Sequence, residues 1–146
     1  LLENIFKIFM ILGVGIDLIL INRIQHLILK FKVNFTKKIF TTNENEQASK
    51  FENNSDNYLK LSCFYAKRFA AKEAFSKAIG LGIGRGIDFK DIEVINDDLG
   101  KPKINILNNK EIFLKKHFNC ENFNIHLSIS DDKNAATAIV IIDKIS

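Results

Sequence analysis

Apolar and polar positions along this chain fall into short blocks with two different periods. Residues 11–16, ILGVGI, mix glycine with branched aliphatics and carry no charge, which predicts a buried strand. LILINRIQHLILKF, residues 18–31, then predicts a helix that exposes Arg23, Gln25 and Lys30. Asn34 to Phe40 predicts a second, short helix. Thr41-Thr42-Asn43 ahead of Glu44 and Glu46 has the composition of a helix start. Thr or Asn oxygens cap free amides there, and acids favour the positive end. This third helix should fade near Asn53-Asn54-Ser55. The longest predicted helix runs over about 57–79 and closes on Gly80. Asp91 to Asn96 and the KINIL that follows Lys101-Pro102 predict two strands. The turn Asp97-Asp98-Leu99-Gly100 joins them as a hairpin. Asn108 to His117 predicts a short helix. NIHLSIS, 124–130, and AATAIVII, 135–142, predict two last strands around the turn 131–134. The sum is an α+β fold, a small antiparallel sheet packed by helices.

Length and composition narrow this to one domain with a substantial core. The chain has 146 residues, 47% of them hydrophobic, with thirteen Phe and no Trp. Net charge is +4, with basic and acidic residues interleaved. That balance suits a soluble surface and an acidic ligand or partner, not a nucleic-acid binder. Cys63 and Cys120 fit no metal or redox spacing, and free thiols suit a reducing cytoplasm. The apolar N-terminus is interrupted by Glu3, Lys7, Gly13, Gly15 and Asp17, so no membrane span is expected. It also lacks the basic head and cleavage site of a signal peptide. The only Met is Met10, so residues 1–9 are read as an extension and 10–146 as the functional domain.

Candidate chemistry centres on two segments far apart in the chain. At about 100° per residue the apolar side chains of the long helix point nearly all round, the mark of a buried helix. Glu73 lies beside Ala66, Ala70 and Lys77 on that wheel. A buried carboxylate needs a partner or a metal, because an unpaired buried charge is very costly. Glu73 and Lys77 could instead form an ordinary i,i+4 ion pair. Asp17 follows the first strand and precedes a helix, so it is either an N-cap or a ligand-facing acid. Gly13 and Gly15 permit close backbone approach. Two carboxylates suit Mg²⁺, which otherwise takes phosphates and waters. GLGIGRG, 80–86, is not a dinucleotide fingerprint, since it follows a helix. Beside Lys77 and Arg85 it makes a reasonable anion site. His117 reads as a surface residue and His126 as a strand residue near the site. Ser128 and Ser130 lack the context of a nucleophile.

GVGIDLILINRI, KRFAAKEAFSKAIGLGIGRGIDFKDIEVINDDLGKPKI and HLSISDDKNAATAIVII together resemble the holo-[acyl-carrier-protein] synthases, the small bacterial class of 4′-phosphopantetheinyl transferases. The likeness runs in order from about Met10 to Ser146, and residues 1–9 match nothing in it. Its two-part signature, G-x-G-x-D with F-x-x-K-E-x-x-x-K, is specific when both parts occur. The resemblance implies Mg²⁺ on Asp17 and Glu73, with Glu73 as general base and Lys77 on the phosphate. It implies coenzyme A contacts from Arg68, Lys77, Gly80, Gly82 and the turn at Asp131, where many members have His. Arg23 and Lys30 would dock the acidic carrier. The implied reaction moves 4′-phosphopantetheine from coenzyme A to a serine of apo acyl carrier protein, in support of fatty acid biosynthesis. The by-product is adenosine 3′,5′-bisphosphate. The resemblance also implies a single pseudo-half of the transferase fold that assembles as a homotrimer, with sites between subunits.

Two other functions would leave different traces. A basic module for an acidic protein or nucleic acid calls for clustered Lys and Arg, a recognition helix or aromatics stacked on a strand pair, and the chain has none of these patterns. An enzyme of the same fold with another pantetheine-bearing donor would be separated by acyl-coenzyme A competition.

Overall fold

The computed structural model describes residues 8–51 and 58–145. In chain order they form β1 (Phe9–Leu20), α1 (Ile21–Phe31), α2 (Val33–Ile39), α3 (Thr42–Ala48) and α4 (Tyr58–Ile79). The hairpin strands β2 (Ile92–Asn96) and β3 (Pro102–Ile106) follow, then α5 (Lys110–Phe118), β4 (Asn124–Asp131) and β5 (Ala135–Ile145). Two antiparallel sheets result, not one. A three-stranded sheet has the order β1-β5-β4, and β2-β3 stands apart as a hairpin. The α+β class therefore holds, with the sheet divided. The predicted fading of the third helix at Asn53–Ser55 and the start of the long helix at 57 lie outside the described residues. No helix among the described residues is long and apolar enough to cross a membrane.

The first strand is longer than the sequence pattern suggests, and this changes the setting of Asp17. Pairing with β5 runs on through Asp17↔Ala138 to Leu20↔Ala135, so the helix begins at Ile21. Asp17 is thus a mid-strand residue and not a helix N-cap. The reason is periodicity: Gly15 and Ile19 are buried while Ile16, Leu18 and Leu20 are exposed, the two-residue alternation of a strand. The strand also starts early, with Phe9 opposite Ile145.

Helix α4 lies across the inner face of this sheet. Its contact with β1 is close enough to exclude any side chain at two positions. A Cβ on Gly13 would sit 1.8 Å from the Ala78 carbonyl oxygen, and one on Gly15 would sit 1.9 Å from that of Ala74. Glycines on the strand meet Ala74 and Ala78 on the helix, so backbone packs on backbone. This approach brings Asp17 to Glu73 and Lys77.

A polar frame locks the other side of α4. Thr41 caps α3 in a capping box with Glu44, at the helix start that the cluster Thr41-Thr42-Asn43 predicts. Glu44 is itself buried, and its two oxygens accept from Thr41 N, Val94 N and Lys72 Nζ. Lys72 spends its ammonium donors on Glu44 (2.7 Å), the Phe89 carbonyl (2.9 Å) and the Ile39 carbonyl (3.1 Å). Burial pulls the Lys72 ammonium below its ordinary value, and Glu44 opposes that fall.

Candidate active site

Asp17, Glu73, Lys77 and Arg23 form one electrostatic cluster. Asp17 is held by the β1-β5 ladder, its own carbonyl accepting from Thr137 Oγ1 at 2.9 Å. Lys77 reaches over from α4 and donates to Asp17 Oδ1 at 2.9 Å and to the Ile16 carbonyl at 3.0 Å. Glu73 is half-buried one helical turn before it. The ordinary i,i+4 ion pair is not formed: Lys77 pairs with Asp17 across elements. Burial pushes the Glu73 carboxyl up, the Asp17 charge pushes it further, and Lys77 and Arg23 pull it back. Two carboxylates that repel each other, one of them already carrying an ammonium, make a site that favours a cation. No group of three or more metal-ligating side chains occurs among the described residues. A pair of carboxylates still fits Mg²⁺, whose remaining positions go to water and substrate phosphate.

A second feature is a cleft of about 540 Å³ between α4 and the hairpin. Lys50, Lys60, Lys67 and Arg68 line it, with Asp131 among them. Arg68 is only 5% exposed, lies 3.5 Å over the Phe64 ring and makes one long contact, 3.4 Å, to Asn96 Oδ1. Its Nε has no partner among the described residues. Burial lowers its guanidinium to about 10, so it stays charged at neutral pH. None of Asp17, Glu73 and Lys77 lines this cleft. Arg68 and Glu73, five residues apart, point about 140° apart around the helix.

The predicted site residues therefore divide. Asp17, Glu73, Lys77 and Arg23 come together, and Arg68 and Asp131 share the cleft. Gly80 caps α4 at φ +73, a left-handed geometry that favours glycine. Gly82 needs no such freedom, and a Cβ there would meet open space. Lys30 sits in the last turn of α1, over the Phe31 ring. Exposed Leu29 and Phe31 give that end of α1 an apolar component beside its positive charge. His126 is not near the acids: it pairs with Asp143 on the far face of the sheet. His117 is an exposed residue, as the sequence predicts, and its Nε2–H donates to the Ile79 carbonyl at 2.7 Å. Sequence reasoning missed Lys67, which meets Asp131 at 3.4 Å, and the Lys72–Glu44 pair. The capping box and the lysine-rich helix were visible signals, but their meeting was not.

Residues 13–140 match the family model described as the 4′-phosphopantetheinyl transferase superfamily. The chain belongs to that superfamily. Two similar relatives are holo-[acyl-carrier-protein] synthases. That of Pelagibacter ubique is 47% identical, over 92% of this chain and 98% of its own. That of Bartonella bacilliformis is 43% identical, over 92% and 96%. A crystal structure of a holo-(acyl-carrier-protein) synthase from Bacillus anthracis, in complex with CoA (3′,5′-ADP), is 40% identical and superposes with a TM-score of 0.72, covering 92% of this chain and 98% of that one. In this member of the transferase superfamily Asp17 lies on β1 and Glu73 on α4.

Proposed function

We propose that the chain transfers 4′-phosphopantetheine from coenzyme A to a serine of apo acyl carrier protein, leaving adenosine 3′,5′-bisphosphate. The observation that carries this is the meeting of Asp17, Glu73 and Lys77 across β1 and α4 in a member of the transferase superfamily. Asp17 and Glu73 would hold Mg²⁺, which when bound would neutralise charge on the donor's pyrophosphate. Glu73, with its raised proton affinity, takes the serine proton directly or through water. Lys77, on a flexible and half-exposed stem, turns from Asp17 to steady the phosphate that leaves. Positioning and electrostatics supply most of the rate, as in phosphoryl transfer generally.

The carrier docks on α1 through Arg23 and Lys30, with Leu29 and Phe31 beside them. Since Arg68 and Glu73 face different sides of α4, one ligand that needs both draws them from two copies. A homotrimer with clefts between subunits meets that need, and the exposed apolar row Val14, Ile16, Leu18 and Leu20 gives the copies a surface to bury. A cytoplasmic location is the compartment where both substrates occur.

The test is direct. Purified protein, apo carrier, coenzyme A and Mg²⁺ are mixed, and the carrier is weighed by mass spectrometry with and without chelator. A phosphopantetheine mass gain that the chelator abolishes is expected. An unmodified carrier rejects the activity, and chelator-insensitive transfer rejects the metal. Sedimentation of an active monomer rejects the shared cleft.

A further inference from the structure

We propose that α5 positions the glycine loop 80–86, with His117 and Lys110 holding its two ends in place for coenzyme A. This rests on the reading of coenzyme A as donor and of that loop as a wall of its site. The loop leaves α4 three residues after Lys77 and carries glycine at 80, 82, 84 and 86. One side of it is open: a Cβ on Gly80, Gly82 or Gly84 would meet nothing within 4 Å. Glycine loses more conformational freedom on ordering than any other residue, so such a loop is costly to hold in one shape. The hold has to come from its other side.

That side faces α5. The Ile79 carbonyl, at the end of α4, is among those that a helix leaves without internal partners. His117 Nε2 meets it at 2.7 Å. A carbonyl oxygen only accepts, so Nε2 carries the proton and donates. At the other end of the loop, Lys110 Nζ donates to the Gly86 carbonyl at 2.9 Å. Phe113 fills the space beside Gly86: a Cβ there, at φ +101, would sit 2.4 Å from the ring. The same ring stacks on His117, with 6.2 Å between centroids. Residues 110, 113 and 117 fall within about 60° of one another around a helix, so a single face of α5 makes all three contacts. Ser76 adds a further hold, its Oγ donating to the Leu81 carbonyl at 2.7 Å. Buried Leu114 anchors α5 to the core, and α5 carries none of the acids or bases of the proposed transfer. A loop ordered before its ligand arrives lowers the entropic cost of binding. His117 and Lys110 are therefore positioning residues.

Steady-state kinetics with apo carrier and coenzyme A, beside timed trypsin cleavage after the exposed Arg85, test this. His117→Ala should raise KM for coenzyme A about fivefold, the scale of one net hydrogen bond. It should leave kcat within about twofold of wild type. His117→Gln, whose amide N–H can take the place of Nε2–H, should bring KM back to within about twofold of wild type. Lys110→Met should raise KM about threefold, a smaller loss because that lysine is partly exposed. Trypsin should cut after Arg85 about fivefold faster in His117→Ala, since the rate follows the population of the opened loop. Cleavage at sites outside the loop should keep its wild-type rate. A fall in kcat with KM unchanged, or a His117→Gln variant as impaired as His117→Ala, overturns the positioning role. So does faster cleavage at every site alike, the sign of a general loss of stability. A wild type that does not transfer from coenzyme A rejects the donor reading instead. Cleavage after Arg85 then decides the role of α5 separately: an unchanged rate in both His117→Ala and Lys110→Met overturns it.

Discussion

Two sides of one helix handle charge in opposite ways. On the frame side of α4, Lys72 is wholly buried and meets three acceptors, while Glu44 is held by Lys72, Thr41 and Val94. On the site side, Glu73 is half-buried beside Asp17, a group of its own sign, and Lys77 is left half-exposed. Both sides spend polar residues inside a largely apolar helix. The frame saturates its charges and so fixes the helix. The site leaves its charges short of partners and so keeps them for a ligand. Adjacent residues, Lys72 and Glu73, belong to different jobs because they point about 100° apart.

The contrast can be broken at Glu73 first. Glu73→Gln keeps the shape but removes the proposed base and one proposed metal ligand, so transfer should fall by about 10²–10⁴ in the carrier mass-shift assay. Thermal stability should not fall, because the change relieves repulsion with Asp17. A variant that is both active and less stable would make Glu73 a frame residue.

Lys72→Met tests the opposite side. It strands Glu44 in the core and should cost about 3–5 kcal/mol in denaturant unfolding. The fraction that remains folded should keep its kcat. Removing Glu44 as well, in Lys72→Met/Glu44→Leu, should recover part of the loss, and failure to do so would mean that the backbone contacts of Lys72 dominate.

The pH profile sharpens the site further. Burial and the Asp17 charge raise the proton affinity of Glu73 in the folded chain, so the fall of kcat/KM on the acid side should lie higher in pH than for an ordinary glutamate. The sign for stability is the reverse. A carboxyl with a raised folded pKa favours the fold below its unfolded pKa, and that contribution is lost as pH rises through the folded value. The Glu73→Gln variant should lose this part of the stability profile in metal-free urea titrations from pH 4 upwards.

The smallest effect belongs to Lys77. Lys77→Met should reduce kcat about tenfold through loss of the proposed contact to phosphate. It should change stability by less than about 1 kcal/mol, because its pair with Asp17 is half exposed. A large stability loss would place Lys77 with the frame.

Much of this molecule was legible in the pattern of residues. The capping box at Thr41 and Glu44, the hairpin around Asp97–Gly100 and the closure of α4 on Gly80 are local events, and local chemistry announces them. The end of β1 lies beyond the predicted strand, because Leu18 to Leu20 are apolar enough for either element. Only pairing with Ala135 to Thr137 makes them strand. Between the two pairings open to Lys77, i,i+4 spacing offers Glu73, whereas the packing of glycine on alanine brings Asp17 nearer.

The sequence by itself determined the class of fold and the family and marked Asp17 and Glu73 as candidates, since these rest on short-range spacing and on motifs read in order. Tertiary structure alone decided which charges are buried and bonded and which are left open. It turned Asp17 from a cap into a mid-strand acid, divided Arg68 from Glu73, and joined Lys67 to Asp131. Such facts depend on contacts between residues tens of positions apart, and no local pattern encodes which of several possible partners a side chain will meet.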